Sequence, residues 1–312
     1  MYPLKLKPAF KDYLWGGTRL KTDYGMQSDL EKLAEAWVLS CHKDGKSVVE
    51  SGEYAGLSLE ETIDKMGKNN CLGSKGSAFE FFPILIKLID AKDNLSIQVH
   101  PSDDYALRVE KEFGKTEMWY VVDCDKDAYL YYGFNRKISK EEFKNRIENN
   151  TLLEVLNKVT VQKGDCFFIE SGTIHAIGAG LLIAEIQQNS NTTYRVYDYG
   201  RVGADGKARQ LHVDKALEVT TLKQPSRPVL HTGSMHGNVR LAECKYFTVD
   251  RIDLDGETTV EVDDTSFSSI LCVDGNAMVG NIEIKAGDCI FLSANSGTVK
   301  ISGKAQLLES RV

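Results

Sequence analysis

At 312 residues the chain is long enough for two ordinary domains, or for one large all-β domain with additions. Hydrophobic residues are 42% and charged residues 27%, a globular composition, and no apolar run reaches the roughly 18 residues a membrane span needs. A net charge of −7 with no basic block argues against nucleic-acid and anionic-membrane partners and leaves small molecules or other proteins.

The opening MYPLKLKPAF carries no apolar core, so no secretory signal is expected. From there the chain reads mostly as strands. Short β-branched and aromatic runs bounded by Gly, Asp and Asn recur at 47–50, 81–89, 95–99, 118–122, 128–133, 166–170, 181–187 and 193–197. Helical patterning is confined to a few places. Ser58–Met66 and Ser139–Asn149 each open on Ser with Glu three residues on, a capping-box spacing, and 151–156 and 212–220 are further candidates. A boundary falls near Lys223–Pro228, and the chain beyond Arg240 is almost wholly strand-like. The seven cysteines are odd in number, scattered and without a CxxC pair, so they are expected to be reduced and structural, in the cytoplasm.

An internal repeat links the two parts. Val161 to Ile169 (VQKGDCFFI) matches Ile284 to Leu292 (IKAGDCIFL) in residue type at every position but Lys163/Ala286, and each copy then reaches a Gly-Thr pair, Gly172-Thr173 and Gly297-Thr298. In the first copy His175 comes after the turn; the second has Lys300 in that region and no histidine. A Gly-Asp turn opening a strand, with a histidine after the next turn, resembles the second motif of the cupin superfamily, where that histidine holds a metal. The expected fold is therefore mainly β: two cupin-type jelly-roll barrels with a few peripheral helices. Residues 1–232 form the metal-binding domain, with helical insertions at about 52–78 and 136–158, and 233–312 a second barrel without metal ligands.

Further ligands are needed. Gln98 and His100 share one strand face, as do Lys115 and Glu117 at the head of the next apolar strand. Singly each has an ordinary reading: a partly buried strand histidine, a surface amide, an exposed ion pair. Two His nitrogens, a carboxylate and an amide oxygen together suit a borderline divalent ion such as zinc at a site open to water.

Taken together, the motifs along the chain resemble the type I phosphomannose isomerase family, in its short Gram-positive form. The resemblance rests on Trp15-Gly16-Gly17, Glu35-Ala36-Trp37, SIQVHP at 96–101, GKTEMW at 114–119, GTIHAIG at 172–178 and EIQQNSNTTYRVYDY at 185–199. It implies an aldose–ketose isomerase interconverting mannose 6-phosphate and fructose 6-phosphate through an enediol, with one zinc ion per chain. The family pattern puts the metal on Gln98, His100, Glu117 and His175, and its active-site arginine on Arg195. It places Trp15, Glu35, Lys87, Ser96, Lys115, Glu185 and Arg201 in the substrate pocket.

The chemistry fits these residue types. Charge developing on O1 and O2 calls for a Lewis acid and a permanent cation, the roles of the metal and Arg195. Lys115, Glu185 or a metal-bound hydroxide are the alternatives for moving the proton. No glycine-rich phosphate loop is present, so discrete side chains must anchor the phosphate, with Lys87, Ser96 and Arg201 selected. The competing expectations are a non-catalytic cupin that binds a sugar or sugar phosphate, and a redox cupin using iron.

Overall fold

The computed structural model describes residues 2–203 and 206–312. Three antiparallel sheets form its layers. The central sheet has seven strands in the order Leu230–His231, Asp165–Ile169, Glu117–Cys124, Leu181–Gln188, Ile84–Ala91, Glu35–Leu39 and Ala9–Lys11. A five-stranded sheet (Leu156–Thr160, Tyr129–Phe134, His175–Ile177, Ile97–Val99, Tyr194–Tyr197) covers one face. An eight-stranded sheet, built mainly from Asn238–Arg311, covers the other.

The alternation of side chains along the central strands creates this layering. Met118, Tyr120 and Val122, with Leu182, Ala184 and Ile186 and with Ile84, Ile86 and Leu88, point one way and pack on Leu271, Phe291 and Leu308 of the C-terminal sheet. Trp119 and Val121, with Ile183 and Ile89, point the other way toward Leu130 and Ile177 of the five-stranded sheet. The C-terminal region thus buries one whole face of the central sheet, and Ile84–Ala91 and Leu181–Gln188 are buried along their full length.

The mainly β, jelly-roll-like architecture is as expected, with one correction: the sheets stack as open layers and do not close into barrels. The sheets also cross the expected 232/233 boundary. Leu4–Lys7 pairs with Cys289–Leu292, and Val48–Val49 extends the same sheet, so N-terminal segments complete the C-terminal layer. Pairing across so long a stretch of sequence leaves no local trace in composition.

Both halves of the repeat fold alike. Gly164 and Gly287 adopt φ of 90° and 95°, a region that favours glycine. Asp165 accepts from Gln162 N at 3.0 Å, and Asp288 from Lys285 N at 2.9 Å. Helices flank the sheets. Ser58 makes the full capping box with Glu61 on Leu59–Met66. Ser139 caps Lys140–Glu148, but there the Glu142 carboxylate turns to Arg136 and Arg146. The short helix Asp103–Val109 adds to the expected elements, and the Pro101-Ser102-Asp103-Asp104 run is its helix-start signal. All seven cysteines are free thiols.

Candidate metal centre and catalytic cavity

The inner face of the central sheet departs from hydrophobic patterning along one row. Trp37, Lys87, Glu185, Trp119 and Phe167 lie opposite one another on successive strands. Lys87 and Glu185 are nearly fully buried, which requires that each be paired. Lys87 Nζ lies 3.2 Å from Glu185 Oε1 and 3.7 Å from Glu35 Oε2, with its ammonium over the Trp37 ring. Trp119 Nε1 donates to Glu185 Oε2 at 2.8 Å, and Trp37 Nε1 to Glu35 Oε2 at 2.6 Å.

One pair of residues farther along, Glu117 lies opposite Gln187, and the five-stranded sheet brings two histidines over it. His100 comes after the strand Ile97–Val99 and just before Pro101, and His175 opens the next strand after the Gly172 turn. Gly172, at φ 88°, donates its N–H to the His100 carbonyl at 2.8 Å, locking the two segments together.

His100 Nε2 and His175 Nε2 are 3.1 Å apart, and Glu117 Oε1 is 3.7 and 3.2 Å from them. All three side chains are almost wholly buried. Each histidine Nδ1 faces a backbone carbonyl at 2.8 Å, Thr192 O for His100 and Thr173 O for His175. A carbonyl only accepts, so each Nδ1 carries the proton and each Nε2 presents a lone pair. Lys115 Nζ holds Glu117 Oε2 at 2.5 Å, whereas Oε1, which faces the two histidines, has no hydrogen-bond donor among the described residues.

Three ligand-type atoms thus converge, the two Nε2 lone pairs and Glu117 Oε1. Their mutual spacing is close to the roughly 3–3.4 Å between atoms that each lie about 2.0–2.1 Å from one zinc ion. Among the described residues this is the one His/Cys/Asp/Glu cluster able to hold a metal. The electrostatics agree. Burial, reinforced by Lys115, pushes His175 down to about 3 and His100 well below the usual imidazole range, so both are neutral ligands. Burial, aided by the nearby Glu185 carboxylate, raises Glu117 to about 7 against the pull of Lys115.

The cluster adjoins a cavity of about 280 Å³, and Lys115 belongs to both, its Nζ 3.1 Å from His100 Nε2 and 3.6 Å from Glu185 Oε1. Burial alone would raise Glu185, but Lys115 and Lys87 outweigh it and hold the carboxylate at about 2. Trp15, Glu35, Lys87, Ser96, Gln98, Glu185 and Arg195 also line this cavity. Gln98 shows no side-chain hydrogen bond to a described residue. Arg195 Nε donates to Ser96 Oγ at 3.1 Å, and its Nη1 to Gln210 O at 3.0 Å.

Arg201 departs from the expected pocket. It is not on the cavity wall; its guanidinium binds Asp198 and the Asn94 carbonyl. Arg209 lines the cavity instead, paired with the same Asp198 carboxylate at 2.8 and 2.6 Å. Tyr13, Asn191 and Thr193 are further wall residues. None of these had a spacing signal. Arg209 lies in an irregular segment before the helix Val213–Val219, where no periodicity gives a side chain's direction.

Stacked jelly-roll-like units, with a buried His-Glu-His cluster opening on a charged cavity in one of them, define a metal-site cupin. Residues 3–129 match the profile of the type I phosphomannose isomerase catalytic domain, and residues 238–312 that of the mannose-6-phosphate isomerase cupin domain. The chain belongs to the type I phosphomannose isomerase family. It is 39% identical over 321 residues to mannose-6-phosphate isomerase ManA of Bacillus subtilis, covering 99% of both chains. It is 36% identical over 315 residues to the mannose-6-phosphate isomerase of Streptococcus mutans, covering 99% of this chain and 98% of that one. The crystal structure of mannose 6-phosphate isomerase from Bacillus subtilis superposes with a TM-score of 0.88 at 32% identity, covering both chains fully.

Proposed function

We propose that this protein is a zinc-dependent, cytoplasmic enzyme that interconverts mannose 6-phosphate and fructose 6-phosphate by moving a proton between C2 and C1. The observation that carries this reading is the convergence of His100, Glu117 and His175, with Glu117 Oε1 facing both Nε2 atoms and meeting no donor among the described residues, beside a cavity of hexose-phosphate scale. His100, Glu117 and His175 would hold the zinc, and Gln98, on the wall of the adjoining cavity, would join them. Bound there, zinc supplies Lewis-acid stabilisation of negative charge on the sugar oxygens.

The chain's own groups do the rest. Abstraction of the C2 proton leaves an enediolate spread over O1, C1, C2 and O2, and its return to C1 completes the aldose-to-ketose change. Lys115 is the residue we assign to carry that proton, because its ammonium nitrogen lies against the ligand cluster and it also lines the cavity. Glu185 contacts both Lys87 and Lys115 and accepts from Trp119, and its role is to fix the two lysines in place. Lys87, enclosed by two carboxylates and held above the usual lysine range against the cost of its burial, remains a fixed cation on the cavity floor. Arg195, steadied by Ser96, stabilises the developing oxyanion as a permanent cation. Arg209, with 25% of its side chain exposed, meets the phosphate, whose remote binding energy positions C1 and C2.

Purified protein should convert mannose 6-phosphate to fructose 6-phosphate, lose that activity to a chelator and regain it with zinc. Tight binding of the sugar phosphate without turnover by the zinc-loaded protein would overturn the enzymatic reading, and restoration by iron but not zinc would overturn the choice of metal.

A further inference from the structure

The segment Asn189–Thr193 connects the central sheet to the five-stranded sheet and separates two cavities. Asn191 and Thr193 line the catalytic one, whereas Asn189 lines a second, of about 330 Å³. The second cavity also has Glu112 in its wall, a residue absent from the catalytic cavity.

Glu112 nevertheless reaches the metal centre through one short chain of contacts. Its Oε2 accepts from Thr192 Oγ1 at 3.2 Å and from Asn191 N at 3.5 Å. The carbonyl of that same Thr192 accepts from His100 Nδ1 at 2.8 Å. Thr192 N donates to Ser190 Oγ at 3.3 Å, so the residue is held at its amide and its hydroxyl while its carbonyl aims the ligand ring. Glu112 also lies three residues before Lys115 and five before Glu117. One carboxylate therefore ties the segment that carries Lys115 and leads into the strand at Glu117 to the loop that orients His100.

We propose that Glu112 is a positioning residue for the metal centre, acting through the Thr192 hydroxyl to fix the carbonyl that sets the ring orientation and tautomer of His100. This deepens the zinc-isomerase reading and rests on it. The physical reason is general: a ligand imidazole binds well only when its other nitrogen is held, and loss of such an outer contact costs about 10–100-fold in metal affinity.

The test is chelator competition for Zn2+ on the full-length chain, read as a dissociation constant rather than as turnover. E112A and T192V should each weaken zinc about tenfold, and the double variant should be no weaker than the worse single one, because both cut the same link. E112Q, which keeps an acceptor oxygen, should recover most of the affinity. K43A, which removes the 71% exposed ion-pair partner of Glu112, should stay within twofold of wild type. T192V is nearly isosteric, so a folding defect in E112A leaves the question decidable. Unchanged zinc affinity in T192V, or losses in E112A and T192V that add fully, would overturn the proposal while leaving the isomerase reading intact. Wild-type protein that binds no zinc would overturn the zinc assignment on which the proposal rests.

Discussion

At Gly164 and at Gly287 the chain makes the same turn, with the same glycine conformation and the same aspartate bond back to the residue three before it. Beyond the turn the two copies diverge. In the first, His175 is buried and enters a layer that also encloses Glu35, Lys87, His100, Lys115, Glu117 and Glu185. In the second, Lys300 is exposed and pairs with Glu257 at 2.7 Å, and the enclosed layer is made of Ile252, Leu254, Ile270, Ile284, Ile290, Ile301, Leu307 and their neighbours. The same scaffold thus supports a charged interior and an apolar one. Charges removed from water cost stability unless paired, so the first interior is a site and the second supplies the packing that tolerates it.

The sharpest way to break this contrast is at the ligands. Glu117→Gln and His175→Ala should lower turnover at least about 10³-fold and reduce bound zinc well below one per chain by elemental analysis. Placing a histidine after the other turn, Lys300→His, should add no second zinc, because the Glu257 carboxylate beside that exposed position would give two ligands at most where a zinc site takes three or four. A second equivalent of tightly bound zinc in that variant would show that the turn rather than the interior makes the site.

Within the charged interior, Lys115→Met separates metal holding from proton transfer. Turnover should fall about 10²–10⁴-fold with zinc content and KM little changed. Loss of zinc in parallel with turnover would make Lys115 a support for the ligands instead. In the apolar layer between the central and C-terminal sheets the expectation reverses. Phe291→Ala, at a fully buried position packed on Phe82 and Phe267, should cost about 3–5 kcal/mol in denaturant unfolding and leave turnover per folded molecule unchanged. A fall in turnover at full folding would show that the two layers are coupled in function.

These contrasts also bear on how much of the molecule is legible in its sequence. The Gly-Asp-Cys repeat and the histidine after Gly172 are local patterns, so His175 and the twofold architecture are legible in them. Lys115 and Glu117 are legible as a pair because strand alternation puts them on one face. Lys87 and Glu185 are not, since an isolated charge in an apolar run does not reveal its partner on the neighbouring strand; the family likeness points to them and the strand register explains them. Arg209, Thr192 and Glu112 stand in irregular backbone, where no periodicity fixes a direction. The pairing of Leu4–Lys7 with Cys289–Leu292 is invisible for a related reason, because contacts across the chain leave no spacing to read.

The smallest expected effects concern the two arginines that share Asp198, and they sharpen the outline of the charged region at its mouth. The Asp198 carboxylate is held below the usual range: burial opposes this, but the hydrogen bonds from Arg209 and Arg201 prevail. Removing Arg201 leaves the two-point contact of Arg209 with Asp198 in place, so the cavity wall keeps its shape and its cation. Arg201→Ala should therefore change KM for mannose 6-phosphate less than twofold. Arg209→Ala removes a cation from the wall itself and should raise KM about tenfold, near 1.4 kcal/mol of binding, with turnover at saturation little altered. Arg209→Lys should restore only part of that loss, because an ammonium cannot hold Asp198 at two points while facing the cavity. The reverse order, with Arg201→Ala the more damaging in KM, would move the phosphate to the Asn94 side and return Arg201 to the substrate-binding set.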